Sequence, residues 1–176
     1  QSLGFHEELI VEHMNQITDA LGLEGDLKHA LVMAAKWHDR GKGRPIWQWY
    51  AGNSGLFPPL AKSTKYLHSR ALGGYRHEFG SMLEAADDED IRRHPESDLI
   101  LHLIAAHHGW SRPYFRTNAW RGIDTYTTSA CEEMAIEAMR RFGRVQGRYG
   151  RWGLAWLESL VRCADIGASQ GQEEGI

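Results

Sequence analysis

The sequence predicts an all-α fold, and three observations predict it. Apolar residues recur at helical spacing through most of the chain, no stretch alternates with the two-residue period of a half-buried strand, and glycine and proline punctuate the periodic segments. At 176 residues, the chain is long enough to bury a real core as one domain. Leu9, Ile10, Met14, Ile17 and Leu21 define an amphipathic helix from about Glu7 to Leu21, closed by Gly22. Asp26 suits the N-cap of a second helix, with Leu27, Ala30, Leu31, Ala34 and Ala35 as its buried stripe, reaching about His38 and stopping before Gly41. From Gly43 to Gly74, Pro45, Pro58, Pro59 and several glycines predict a long irregular segment holding one short helix. A third helix runs from Tyr75 or Arg76 to about Ala86. Ser97 or Asp98 caps a fourth, whose run from Leu99 to Ala106 reads as wholly buried before Gly109 ends it. Trp110 to Thr128 is polar, aromatic and irregular. Two more helices, about Ala130–Phe142 and Trp152–Ala168, are separated by Gly143, Gly147 and Gly150. The expected architecture is a helical bundle with long irregular loops.

Composition excludes several classes. No apolar run approaches the ~18–20 residues of a membrane span, and no basic-then-apolar leader opens the chain. Seven Trp, six Tyr and five Phe are too many aromatics for a disordered chain. Two cysteines, Cys131 and Cys163, indicate neither a disulfide scaffold nor a thiolate zinc site, so a cytoplasmic setting is expected. A start at Gln1 rather than Met suggests a piece of something longer. The formal net charge is −3, yet charge is segregated. Arg40 to Arg76 carries seven basic residues and no acidic one, and Arg140 to Arg151 five arginines and no acid. Glu84 to Asp98 between them carries seven carboxylates against two arginines. Either basic stretch can meet a polyanion or simply face solvent.

Ten histidines are the unusual feature, because imidazole is the commonest ligand for intermediate metals. His38-Asp39-Arg40-Gly41-Lys42 ends the second helix, where the glycine lets the chain leave helical geometry and both side chains turn to one point. Taken alone, such a pair reads more readily as a capped helix end than as a metal site. His13, four residues from both Leu9 and Ile17, faces the core with them, as a hydrogen-bonded core histidine or a ligand. His77 opens the third helix. His107 and His108 close the buried fourth helix, where packing alone does not call for two imidazoles. Asp165 is a carboxylate in an apolar helix and requires a cation or a strong donor.

The order His, His-Asp-x-Gly-Lys, His, His-His, Asp resembles the HD superfamily of metal-dependent phosphohydrolases. Trp37-His38-Asp39-Arg40-Gly41-Lys42, Arg76-His77-Glu78, Ala106-His107-His108-Gly109 and Leu157-Glu158 to Asp165 look like the HD nuclease domain of the type I CRISPR-associated nuclease-helicase. Trp47-Gln48-Trp49 and Arg112-Pro113-Tyr114-Phe115 are similar to its I-U/I-G branch. The likeness spans about residues 5 to 169. Arg40 departs from it, standing where an apolar residue is commoner.

The resemblance implies an HD-domain bundle that cleaves single-stranded DNA during CRISPR interference, by two-metal hydrolysis with a metal-activated water. It implies that His13, His38, Asp39 and Asp165 hold a first metal and that Asp39 bridges to a second held by His77, His107 and His108. Nitrogen and oxygen donors without thiolate favour Mn²⁺, Fe²⁺, Co²⁺ or Ni²⁺. Lys42 would pair with the scissile phosphate or orient nearby groups as a point charge. The implied partners are single-stranded DNA, a helicase domain or subunit, and the CRISPR effector complex, with no membrane. His6 and His94 are expected to face solvent, and His68 lies in the irregular segment without an evident partner. His102 is expected to hydrogen-bond in the core, with a ligand-orienting role as the alternative. Trp110, Arg112, Arg116 and Arg121, with Tyr114, Phe115 and Trp120 among them, interleave aromatic and basic residues as single-strand binders do, the alternative being a Trp-rich loop packed on the bundle.

Three other readings compete. A cyclic-dinucleotide phosphodiesterase of the HD type carries a Gly-Tyr-Pro tripeptide that this chain lacks. An HD nucleotide phosphohydrolase usually manages with four ligands to one metal, leaving His77, His107 and His108 unused. A degenerate module that only binds nucleic acid would leave every filled motif position without a purpose.

Overall fold

A computed structural model describes residues 1–55, 57–63, 72–109 and 111–170. They form an all-α bundle: α1 (Leu3–Ala20), α2 (Gly25–Trp37), a 3₁₀ turn (Arg40–Gly43), α3 (Pro45–Tyr50), α4 (His77–Asp87), α5 (Glu89–Arg93), α6 (Ser97–Ala106) and α7 (Thr128–Gln170). Extended pairing among the described residues is limited to one antiparallel bridge, Ser2 with Leu60. No helix among them is long and apolar enough to cross a membrane.

α1 starts four residues earlier than its apolar periodicity indicates. Ser2 caps it by accepting the Phe5 N–H, and the chain is helical from Leu3. Its buried face is Leu3, His6, Ile10, Met14 and Thr18, whereas Leu9, His13 and Ile17 lie along the edge of that face. α6 is buried on every side from Leu99 to Ala106, as its unbroken apolar run predicts. α1 packs on α2 and α7, and α6 packs on α2, α4 and α7. Ile10, Met14, Leu31, Phe79, Met82, Ile104 and Val161 form the centre of the core. α7 breaks at Gly150, whose φ of 69° lies in the left-handed region. Gly143 and Gly147 stay helical, so one of the three expected separators divides the segment.

The last two carboxylates of the acidic stretch, Glu96 and Asp98, are spent on internal pairing. Arg144 pairs bidentately with Asp98, at 2.6 and 2.8 Å, and also reaches Glu137. Arg148 and Tyr149 both bond Glu96, and Arg141 lies 3.5 Å from Asp98. These contacts staple the start of α6 to α7. They correct one alternative for the Arg140–Arg151 stretch: most of its charge is neutralised within the fold and does not form an open basic face.

Candidate metal centre

Four segments converge on one point: the first turns of α1, the α2 exit, the start of α4 and the α6 exit. α7 closes it with Asp165. Two clusters form there, Asp39 with His77, His107 and His108, and His6 with His38 and Asp165; within each, the ligand atoms lie within 4.8 Å of one another.

Asp39 joins the clusters. Its Oδ1 lies 3.2 Å from His77 Nε2 and 3.7 Å from His107 Nε2. Its Oδ2 lies 3.4 Å from His38 Nε2 and 3.5 Å from His6 Nε2. Asp165 Oδ1 stands 3.1 Å from His6 Nε2 and 3.7 Å from His38 Nε2. His38 and His107 are oriented identically. In each, Nδ1 sits 2.7 Å from the carbonyl three residues back, Ala35 or Ile104, so Nδ1 carries a proton and Nε2 faces inward. His38 Nε2 and Asp39 Oδ1 are buried without a hydrogen-bond partner. Polar ligand atoms buried without a partner are costly, and a cation between them would satisfy them. The buried His/Asp groups are therefore suited to hold metal, through nitrogen and oxygen donors alone.

The same groups are strongly coupled electrostatically. Burial would raise the Asp39 carboxyl, but His38 and Lys42 outweigh it and hold Asp39 well below the ordinary carboxylate range. Burial would lower His38, yet Asp39 and Asp165 push it up to about 10. Burial, with the neighbouring His38, His108 and His77, drives His107 well below the usual imidazole value.

Local packing explains the motif. The 3₁₀ turn lies so close to α4 that a Cβ on Gly41 would stand 2.2 Å from the His77 carbonyl oxygen and 2.8 Å from Ser81 N. Gly41 N–H donates to Ser81 Oγ, and its carbonyl accepts from Tyr75 Oη. The glycine is needed for this approach to α4, which brings Asp39 and His77 together; its φ is not among the positive ones. Lys42 Nζ lies 2.5 Å from Asp39 Oδ2 and 5.6 Å from the centre of the Trp47 ring. Gln48, wholly buried, donates to the carbonyls of Lys42 and Leu60, so the Trp47-Gln48-Trp49 motif ties the 3₁₀ turn that carries the lysine to the segment at Leu60.

Six of the seven expected ligands come together: His38, Asp39, His77, His107, His108 and Asp165. His13 does not, and His6 takes its place. His13 stands seven residues further along α1, about 10 Å down the axis at 1.5 Å per residue, with its ring against Gly167 of α7. His6 is 2 % exposed, which also corrects its expected solvent-facing position. Its signal in the sequence was Ser2: a cap there starts the helix early enough to put His6 four residues before Ile10.

His94 is half-buried and not simply solvated, with its Nε2 3.1 Å from His29 Nδ1. His102 is buried and bonds Glu158 at 2.7 Å; the other oxygen of Glu158 accepts from Arg112 at 2.7 Å. Of the aromatic-basic segment, Phe115 is buried and Trp120 half-buried against Phe79, while Tyr114, Arg112, Arg116 and Arg121 are exposed. Trp110 and His68 lie outside the described residues. No family model, curated protein or solved structure matches this chain.

Proposed function

We propose that the chain is a metal-dependent phosphodiesterase that cuts single-stranded DNA, of the HD nuclease kind its sequence resembles. One observation supports this reading above the others: Asp39 offers one carboxylate oxygen to each of two adjacent donor clusters. That arrangement suits two divalent ions a few ångströms apart, held by His6, His38, Asp39 and Asp165 on one side and by Asp39, His77, His107 and His108 on the other. Mn²⁺, Fe²⁺, Co²⁺ and Ni²⁺ suit the donors. Such ions, when bound, neutralise a phosphodiester and activate water.

The chain's own residues supply the rest. The backbone bonds of His38 and His107 fix both rings before any ligand arrives. Lys42 is held at the mouth as a point charge beside Asp39, within reach of a phosphate entering there. Arg112, Arg116 and Arg121 lie exposed on the segment that leaves the His107-His108 pair, where they meet the backbone of a strand. On the resemblance, a helicase domain or subunit of a CRISPR effector complex delivers that strand.

Metal analysis by mass spectrometry, run beside cleavage assays on linear and circular single-stranded DNA, tests the proposal. Two ions per chain and cutting of both substrates are expected. Ions bound without cleavage in any of the four metals would overturn it.

A further inference from the structure

Beside the metal centre lies a second pocket, of about 330 Å³, within the ~300–1,000 Å³ of ordinary ligand sites. It opens between the segment before α4 and the loop after α6, and its wall begins at Gly109, the residue after His108. Arg76, Arg112 and Arg116 line it, with Ser111 and Tyr114, and no carboxylate does. Ser111 is 3 % exposed, and its hydroxyl is buried without a hydrogen-bond partner. It also holds a φ of 62°, an unusual conformation for a residue with a side chain, so the loop carries strain where it presents this group. The guanidiniums of Arg76 and Arg116, with that of Arg112 shared with Glu158, and an unsatisfied buried hydroxyl form a site for a tetrahedral oxyanion. Guanidinium forks match phosphate geometry, and the hydroxyl supplies a neutral donor.

We propose that this pocket is a phosphate subsite separate from the metal centre, taking the backbone phosphate next to the one cleaved. The assignment rests on the proposed phosphodiesterase reading and adds Arg76 and Ser111 to the strand's contacts. Its chemistry is that of a phosphate group, which a nucleic acid strand or a free phosphate can supply. The strand is favoured because the pocket wall is contiguous in sequence with ligands His107 and His108, and because Tyr114, 56 % exposed, offers a stacking face at the rim.

The test measures binding of a twelve-nucleotide oligothymidylate in EDTA, where nothing is cut, to the wild-type protein, Ser111→Gly, Arg116→Ala and Arg140→Ala. Ser111→Gly deletes the hydroxyl without charge change and relieves the positive φ. Arg140, exposed on α7, does not line the pocket and controls for the loss of any one positive charge. Roughly tenfold weaker binding is expected for Ser111→Gly and Arg116→Ala, with Arg140→Ala within about twofold of wild type. Arg116→Ala should also flatten the salt dependence by about 0.7 in log–log slope, one single-strand phosphate contact. Unchanged melting temperatures and bound Mn²⁺ would exclude collapse of the fold or the metal centre. Equal affinities in all four proteins would overturn the subsite. Inorganic phosphate, titrated in parallel, separates the sources: binding lost in the two pocket variants without any change in strand affinity would make this a small-anion site and overturn the strand assignment. Cleavage by the wild type with Mn²⁺ is scored separately, so failure of the phosphodiesterase reading is distinguishable from failure of the pocket.

Discussion

Lys42 and Asp39 are paired across a single 3₁₀ turn, Nζ to Oδ2 at 2.5 Å, and that same oxygen faces His6 and His38. The lysine therefore acts on the carboxylate that both clusters share. An ammonium donates and cannot coordinate a cation, so Lys42→Ala is expected to keep its metal. Removing it leaves the buried Asp39 charge with less compensation, so the metal-free protein should melt earlier. Cleavage should fall ~10²–10³-fold if the charge stabilises the transition-state phosphate. Asp39→Ala, in contrast, should lose both ions. Mass spectrometry and rate measurements on the two variants separate the roles, and loss of metal by Lys42→Ala would refute this assignment.

Metal affinity should rise steeply with pH. Against burial, Asp39 and Asp165 push His38 up to about 10, so below that value the imidazole is protonated and must release its proton to serve as a ligand. Each pH unit from 6 to 9 is expected to tighten Mn²⁺ binding by up to about tenfold through this group. For the metal-free protein the sign reverses. A folded value raised above the unfolded ~6.5 gives stability that is complete below pH 6.5 and is lost as pH climbs toward 10. Calorimetric titrations in two buffers of different ionisation enthalpy read the released proton, and melting curves at pH 7 and 9 read the opposite trend. Metal affinity flat with pH would show that His38 is neutral before binding.

The candidate ligand set was largely legible in the sequence because most of its members sit at helix ends that glycine marks. His38-Asp39 precedes Gly41, His107-His108 precedes Gly109, and His77 opens a helix after Gly73 and Gly74. The first ligand was not legible in the same way. His6 and His13 are seven residues apart, almost two full turns, so they project in nearly the same direction and periodicity cannot choose between them. The choice is made by which turn of α1 crosses α7 beside Asp165, a tertiary fact. Likewise, charge counting could not show that Glu96 and Asp98 consume Arg148 and Arg144, because the partners are 52 and 46 residues apart.

That miss has a direct test. His6→Ala should lose metal from the His38–Asp165 cluster, whereas His13→Ala should retain a full complement. His13 contributes packing against Gly167, so its truncation should cost stability alone, about 1 kcal/mol as for a typical destabilising substitution. Bound metal per chain and melting temperature for both variants settle the assignment, and metal loss in His13→Ala would restore the expectation from sequence.

Gly41→Ala should be among the most damaging single changes. The added carbon would meet backbone, the His77 carbonyl at 2.2 Å and Ser81 N at 2.8 Å, and backbone cannot swing aside as a flexible side chain can. Overpacking of this kind costs about 1–3 kcal/mol and occasionally more. The displacement also separates Asp39 from His77, so metal should be lost along with stability. A thermal melt and a metal assay on the same sample check both, and a normal melt with full metal would contradict the packing described.

Glu158 determines how strongly Arg112 meets a strand. Its two oxygens are divided, one to buried His102 and one to Arg112, each at 2.7 Å, so the arginine reaches the mouth of the candidate metal centre already paired. In Glu158→Gln the side chain keeps its length and can still bond both neighbours, but its charge is gone. Arg112 then acts as an uncompensated cation. Single-stranded DNA should bind more tightly at low salt, and the log–log salt slope should steepen by about 0.7, the value of one added phosphate contact. Arg112→Ala in the wild-type background should, by the same logic, weaken binding less than Arg116→Ala does, because it removes an arginine that was already paired. Glu158→Ala supplies the contrast: it leaves His102 buried without its partner and should cost about 1–3 kcal/mol of stability. Affinity measured at several salt concentrations across these variants tests the arrangement. A Glu158→Gln slope equal to that of the wild type would mean that Arg112 never reaches the strand.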